Sequence, residues 1–130
     1  MQSRQLIELA LGDIDPWYVD QVTFEEGDSG QELHIYLGLK RGQLFDGKKA
    51  HDFQERTWRH LNFFEYRCYL HAKVPRVKTE DGKVETFKVP WSRRNLGFTL
   101  KMEAMIMLLL KSDLPVNGVA RMMRAFFLKV

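Results

Sequence analysis

Apolar positions along the chain change their spacing twice. Between residues 3 and 11, Leu6, Ile7, Ala10 and Leu11 recur on one side of a helix, and Gly12 and Pro16 end the run, which predicts a short amphipathic helix. From Tyr18 to Phe24 the period falls to two, with Val22 and Phe24 set against Gln21 and Thr23. After the turn-forming EEGDSGQ the alternation returns, with Leu33, Ile35, Leu37 and Leu39 on one face, so the two runs read as a hairpin. The segment KRGQLFDGKKAHD is polar, holds two glycines and is expected on the surface. Next, RTWRHLNFFEYRCYLHAKVPRVK supplies two extended segments. In the second, Tyr66, Cys68, Leu70, Ala72 and Val74 face one way and Arg67, Tyr69, His71 and Lys73 the other. TEDGK then turns the chain through Asp-Gly, and VETFKV returns until Pro90 ends the strand.

The tail changes to a helical period. Phe98, Met102, Met105, Ile106, Leu109 and Leu110 form one run, SDLPVN interrupts it, and Val119, Met122, Met123, Phe126 and Phe127 form another. Two helices joined by a short turn are predicted, with Pro115 in the first turn of the second and Asn117 or Asp113 as its cap. The methionines at 102, 105, 107, 122 and 123 are expected in the core or between helices. The predicted class is α+β: a small antiparallel sheet of two hairpins over residues 1–92, followed by a helix-turn-helix-like pair over residues 93–130. Such a pair opens a DNA-binding helix-turn-helix and equally any small helical bundle, and the pattern leaves both open.

Composition adds three constraints. A chain of 130 residues, 45% hydrophobic with four prolines, makes one folded domain, or a small domain with a helical appendix. Charge is unevenly spread: residues 1–65 carry 7 Lys/Arg against 12 Asp/Glu, and residues 66–130 carry 13 against 5. The basic half suits a polyanion such as nucleic acid, or simply forms a solvated surface. The N-terminus lacks the features of a secretory signal, and the longest apolar run, Met102 to Leu110, is interrupted by Glu103, so a cytoplasmic protein with no membrane association is expected. One cysteine, Cys68, allows neither an internal disulfide nor a thiolate zinc site.

Several strings carry a resemblance. RTWRHLNFF, YLHAKVPRVK, VPWSRRNLGFTLKMEAMIMLLL and LPVNGVARMM, in this order, resemble the N-terminal region of insertion-sequence transposases of the ISL-three group, and DPWYVDQVTFEEGDSGQELHIYLGLKRG is similar to that family's opening hairpin. The resemblance runs over residues 6–124. It implies a zinc-binding part and a helix-turn-helix DNA-binding part placed ahead of a DDE catalytic domain. Two departures accompany it. The family's two CPxCG knuckles correspond to LFDGKKAHD and VKTEDGKVE here, so the resemblance implies lost metal ligands, with hairpin geometry and core packing in the metal's place. The groove-reading helix and the catalytic domain would both lie beyond Val130, and the acids of this chain form no three-carboxylate set for metal-assisted phosphoryl transfer.

Candidate residues follow from this. Arg56, Arg59, Arg67, Lys73, Arg76 and Lys78 are candidate phosphate ligands, because a guanidinium binds phosphate through two parallel hydrogen bonds. Arg93 and Arg94 precede the helix at Phe98 and suit backbone contacts, while Asn117, Arg121 and Arg124 are placed to contribute from the last helix. Trp58, Phe63, Phe64, Tyr66 and Tyr69 serve either sheet packing or base stacking. Trp58 is expected buried with Arg56 and Arg59 pointing outward, which requires an irregularity near Thr57 because residues 56 and 58 share a strand face. His60 and His71 are expected to be structural, and His51, His60 and His71 with Glu55 form no set of nucleophile, base and orienter. The expectation is a non-catalytic DNA-binding module of, or derived from, a transposase, with no cofactor and no metal, holding duplex DNA by its phosphates with weak specificity. The alternative is a degenerate remnant acting in protein interaction or dimerisation through its C-terminal helices.

Overall fold

The computed structural model describes residues 3–28, 30–45, 47–93, 96–112 and 115–122. Among these, the elements in chain order are α1 (Ser3–Leu11), β1 (Trp17–Gly27), β2 (Gly30–Leu39), β3 (Asp52–Phe63), β4 (Tyr66–Lys78), β5 (Val84–Thr86), α2 (Leu100–Leu110) and α3 (Val116–Met122). The architecture is α+β. The amphipathic helix before Gly12, the first hairpin and the two extended segments after it form where the periodicities place them, whereas the return strand expected to run to Pro90 stops at Thr86, where the Phe87 amide turns to Pro75 O.

The sheet is mixed rather than antiparallel. β1 pairs with β2 and β3 with β4 as antiparallel hairpins, but the hairpins join through a parallel pairing of β2 with β4, from Glu32 opposite Arg67 to Leu37 opposite Ala72. The strand order is β1-β2-β4-β3, with β5 against β4 from Arg76 to Lys78. The antiparallel expectation fails because alternation specifies which face each residue occupies, not the direction of its neighbour. Central β4 is apolar enough to be covered on its inner face along most of its length, and β2 brings Leu33, Ile35 and Leu37 to the same face.

That inner face holds the main core: Val19, Leu33, Ile35, Leu37, Trp58, Cys68, Leu70, Ala72 and Val74, closed by Ile14, Val89 and Trp91, with Ile7 and Leu11 of α1 packed against it. Its centre is a chain of tryptophans. Trp91 meets the Trp17 ring edge to face at 5.0 Å and the Trp58 ring at 5.2 Å, so the segment after β5 is drawn across the sheet. Trp58 is 1% exposed, as expected. No irregularity occurs near Thr57, however: the β3–β4 register is unbroken from Asp52 to His60, and the shift comes between His60 and Phe63. The expectation failed because Arg56 shares the inner face and lays its guanidinium over the Trp58 ring, 5.5 Å from its centroid. Within the loop expected on the surface, Phe45 is buried, packing on Phe87.

β3 is an edge strand, and its free edge is covered. The Arg59 amide donates to Gly97 O (2.8 Å) and the Thr99 amide donates to Arg59 O (3.0 Å). This bridge fixes where α2 starts. Thr99 caps that helix, its hydroxyl accepting from the Met102 amide at 3.2 Å. A second, smaller core then joins helices to sheet: Met102 of α2 and Val119 of α3, both buried, against Leu61, Phe98, Ile106 and Leu109. Met107 was expected in this core and is instead half exposed, on the side of α2 that also shows Leu100 and Leu108. Pro115 precedes α3 and its carbonyl accepts from the Val119 amide (3.0 Å), while Asn117 lies inside the helix and so does not cap it. Asp113, Met123, Phe126 and Phe127 fall outside the described residues. No described helix is long and apolar enough to cross a membrane.

Candidate functional site

The candidate cations divide by what they touch. Arg59 was expected to point outward and is buried. Its guanidinium lies over the Tyr69 ring at 5.4 Å and donates to Cys68 O (3.2 Å), Asn62 Oδ1 (2.6 Å) and His60 O. Burial draws its pKa below the ordinary value. Arg56 is half buried on Trp58 and donates to Leu96 O at 3.5 Å. Arg76 forms a two-point ion pair with Asp52, Nε to Oδ1 at 2.6 Å and Nη2 to Oδ2. Their mutual hydrogen bonds raise the Arg76 pKa and lower that of Asp52. These three arginines are committed to partners within the molecule. Arg67, half buried, stands opposite Glu32 across the parallel pair.

Lys73, Lys78, Arg93, Asn117 and Arg121 are exposed. They form two groups rather than one patch. Lys73 and Lys78 lie along the second half of β4, whose last residues pair with β5. Arg93, Asn117 and Arg121 belong to the helical segment, which is anchored on β3 at Arg59 and Leu61. Arg93 is 71% exposed and donates from Nε to Glu103 Oε2 (2.8 Å), an acid in the first turn of α2. Arg94 and Arg124 lie outside the described residues. Lys48, Lys83 and Lys88 are further exposed cations near Lys78, with the Lys48 ammonium donating to Lys78 O at 3.4 Å. The signal for Lys48 and Lys83 was the repeated Asp-Gly-Lys string at 46–48 and 81–83.

Of the aromatic residues left open between packing and stacking, Trp58 and Tyr69 are buried, and Tyr66 is half buried and packs edge to face on Phe24 at 5.4 Å. Phe63 and Phe64 stand at the tip of the β3–β4 hairpin, with Phe64 84% exposed. The outer face of the sheet carries a polar ladder. His34 Nδ1 and His71 Nε2 lie 2.6 Å apart with their rings 18° from coplanar, an in-plane hydrogen bond that holds one proton. Thr57 Oγ1 is 2.9 Å from His71 Nδ1, and His34 Nε2 is 3.3 Å from both Glu25 and Glu32. Burial and the neighbouring His34 lower the His71 pKa.

The transposase resemblance implies a zinc-binding part, and the donors available here are few. Cys68 lies on the inner face between His60 and Leu33, and burial pushes its pKa up to about 12, which makes it a thiol rather than a thiolate ligand. His60 Nδ1 is engaged with Thr99 Oγ1 at 2.7 Å, and His71 is held on both nitrogens. Among the described residues no group of three or more His, Cys, Asp and Glu side chains is placed to hold a metal ion. The described residues do not fit a zinc site.

Two family models cover the part of the chain where these features lie. Residues 46–78 match the zinc-finger of transposase IS204/IS1001/IS1096/IS1165, and residues 88–124 match the helix-turn-helix domain of transposase family ISL3. The first spans β3 and β4 and the second spans α2 and α3. Together they support an N-terminal region of an ISL3-family transposase. The transposase for insertion sequence element IS1557 of Mycobacterium tuberculosis, in strains CDC 1551 / Oshkosh and ATCC 25618 / H37Rv, is 26% identical over 109 residues, covering 76% of this chain and 24% of the relative. The chain thus spans about a quarter of the length of the curated relatives it matches. No solved structure matches it.

Proposed function

We propose that this chain is a non-catalytic DNA-binding module of, or derived from, a bacterial insertion-sequence transposase, holding duplex DNA through its phosphates. The observation that carries the proposal is the match of residues 88–124 to a transposase helix-turn-helix model over the same residues that form α2, a turn and α3. The helix pair is docked on β3 through Met102, Val119 and Leu61, so it presents Asn117 and Arg121 from a fixed frame. Arg93 adds a guanidinium at the entrance to α2. In this proposal residues 46–78 are a zinc-free version of the matched zinc-finger, and residues 1–92 and 93–130 act as a β-rich support and a helical DNA contact.

The test is a titration of fluorescent duplex DNA at several salt concentrations. About four to six neutralised phosphates give a slope of log affinity against log salt of about −4 to −5, at roughly −0.9 per contact. Replacing Arg93 and Arg94 with alanine should weaken all duplexes alike and flatten the slope by about two, since backbone contacts carry no sequence information. Absence of binding at low salt would overturn the proposal.

One observation favours a second function, self-association or docking on another protein. Leu100, Met107, Leu108 and Leu110 of α2 and Val116 of α3 are all substantially exposed, an apolar surface of the kind that marks interaction sites. Light scattering across a concentration range separates the two: a dimer that lacks DNA affinity supports this function instead.

A further inference from the structure

The string Asp-Gly-Lys occurs at 46–48 and at 81–83, and the turns at Gly47 and Gly82 lie at one end of the sheet. In the first, the Phe45 and Lys48 backbones exchange both hydrogen bonds, Phe45 N to Lys48 O at 2.8 Å and Lys48 N to Phe45 O at 3.0 Å, with Gly47 at φ 76°. In the second, the Thr79 amide donates to Lys83 O at 2.7 Å, Gly82 has φ 84°, and Asp81 Oδ1 accepts from the Lys83 amide at 3.1 Å and from the Thr79 hydroxyl. Each glycine supplies a positive φ that a tight hairpin turn requires. The matched zinc-finger model begins at the first turn and ends at Lys78, directly before the second. A metal held between two such turns would pin them together, and the donors here do not fit one.

Something else joins them. Phe45 is 3% exposed although it sits in a polar loop, and its ring meets Phe87 edge to face with centroids 4.7 Å apart. Phe87 follows β5 and is tied to β4 by its amide, which donates to Pro75 O at 2.8 Å. Lys48 reaches across to Lys78 O, the His51 amide donates to Arg76 O at 2.7 Å, and Asp52 holds Arg76 through two hydrogen bonds. The contacts therefore run from the first turn, through the end of β4, to the strand leaving the second turn. An aromatic pair of this kind adds to the apolar area it buries a contact of defined geometry, which fixes the relative position of the two segments.

We infer that in this chain the two turns are joined by a metal-independent clasp, the Phe45–Phe87 pair backed by the Asp52–Arg76 ion pair, in the place where the matched zinc-finger family uses zinc. The consequence is an N-terminal region whose local order is independent of zinc supply. This inference does not rest on DNA binding and survives or fails separately from it.

The experiment is amide hydrogen exchange on the 130-residue chain, with Phe45→Ala, Phe45→Leu and Phe87→Ala variants, before and after treatment with a strong chelator. The Lys48 and Thr79 amides, each hydrogen bonded within its own turn, and the Phe87 amide, bonded to Pro75 O, should lose protection by about tenfold in either alanine variant, the scale of a local opening equilibrium released by one lost aromatic contact. Leu70, in the central strand, should keep its protection, and Phe45→Leu should recover part of the loss at the turns. Chelation should change none of these amides. Cobalt(II) added to the untreated chain should give no tetrahedral absorption bands. Stoichiometric zinc by elemental analysis, loosening of the same amides by chelator, or turn protection unchanged in both alanine variants would each overturn the clasp. If an alanine variant fails to fold, the leucine variant and the chelator and cobalt measurements on the unmodified chain still decide.

Discussion

His60 shows how a residue that looks like a ligand becomes part of the frame. It lies on the inner face of β3 opposite Cys68, with Thr99 Oγ1 2.7 Å from its Nδ1. Burial first, then the charges of Lys101 and Arg59, lowers its pKa from 6.5 to about 4. The folded state therefore prefers neutral His60, and the unfolded chain takes up a proton more readily. Stability from this residue is fully present above pH 6.5 and is lost as the pH falls toward 4, by up to about 3 kcal/mol for a shift of this size. Urea melts between pH 4 and 7 should show that acid limb, and His60→Gln should flatten it. Trp91 yields a second residue-scale expectation. It bridges Trp17 and Trp58 and is 5% exposed, so Trp91→Ala should cost about 3–5 kcal/mol, the range for large aromatic truncations in a core. A loss under about 1 kcal/mol would mean that the two flanking tryptophans close the gap by themselves.

At the level of elements, the junction between β3 and α2 matters most. Gly97 to Thr99 both covers the edge of β3 and starts the helix, so the position of α2 and α3 is set by a strand edge rather than by helix packing alone. Covering an edge in this way also blocks unwanted pairing with another chain. Thr99 is 1% exposed and serves as cap, as partner of His60 and as the backbone donor to Arg59. Thr99→Ala should cost about 1–2 kcal/mol, the range for a lost helix cap. Its effect should show in hydrogen exchange as faster opening of α2 and α3, with β4 unchanged. Equal loosening of sheet and helices would mean that the junction is part of the main core. The small core can be probed separately: Met102 is fully buried, and Met102→Ala should cost about 2–5 kcal/mol.

Over the whole molecule, the parallel pairing of β2 with β4 brings the β1–β2 and β3–β4 turns to one end of the sheet and leaves the glycine turns at the other. The β1–β2 and β3–β4 turns fall at the starts of β2 and β4 and gather Glu25, Glu26, Asp28, Glu32 and Glu65. The opposite end gathers Lys48, Lys78, Lys83 and Lys88 together with Glu80, Asp81 and Glu85. The helical cations stand apart from both, on the edge of β3. If the helices grip DNA, they should carry most of its salt dependence. Lys73→Ala with Lys78→Ala should then change the slope by less than about one contact, roughly 0.9, whereas the Arg93/Arg94 change removes about two. The reverse order in the same titration would move the DNA contact to the lysine-bearing end.

Local periodicity alone determined much of this protein. The helix before Gly12, the alternating faces of β2 and β4, the Asp-Gly turn at 81–82 and the presence of two helices after residue 98 all depend on neighbours a few residues away, which is the range over which side-chain spacing acts. The strings VPWSRRNLGFTLKMEA and LPVNGVARMM also carried the family resemblance that the two matched models support. Only the tertiary structure decided the rest. That β2 runs parallel to β4 depends on the path between the hairpins, which alternation cannot encode. Arg59, on the outer face beside Tyr69, became buried because its strand edge received Gly97 to Thr99 and its guanidinium found Cys68 O and the Tyr69 ring within reach, partners that come from 9 to 40 residues away. Phe45 looked like one apolar residue in a polar loop until Phe87, 42 positions later, was brought against it. In each case the deciding contact is long-range, and its partner is chosen by packing rather than by spacing.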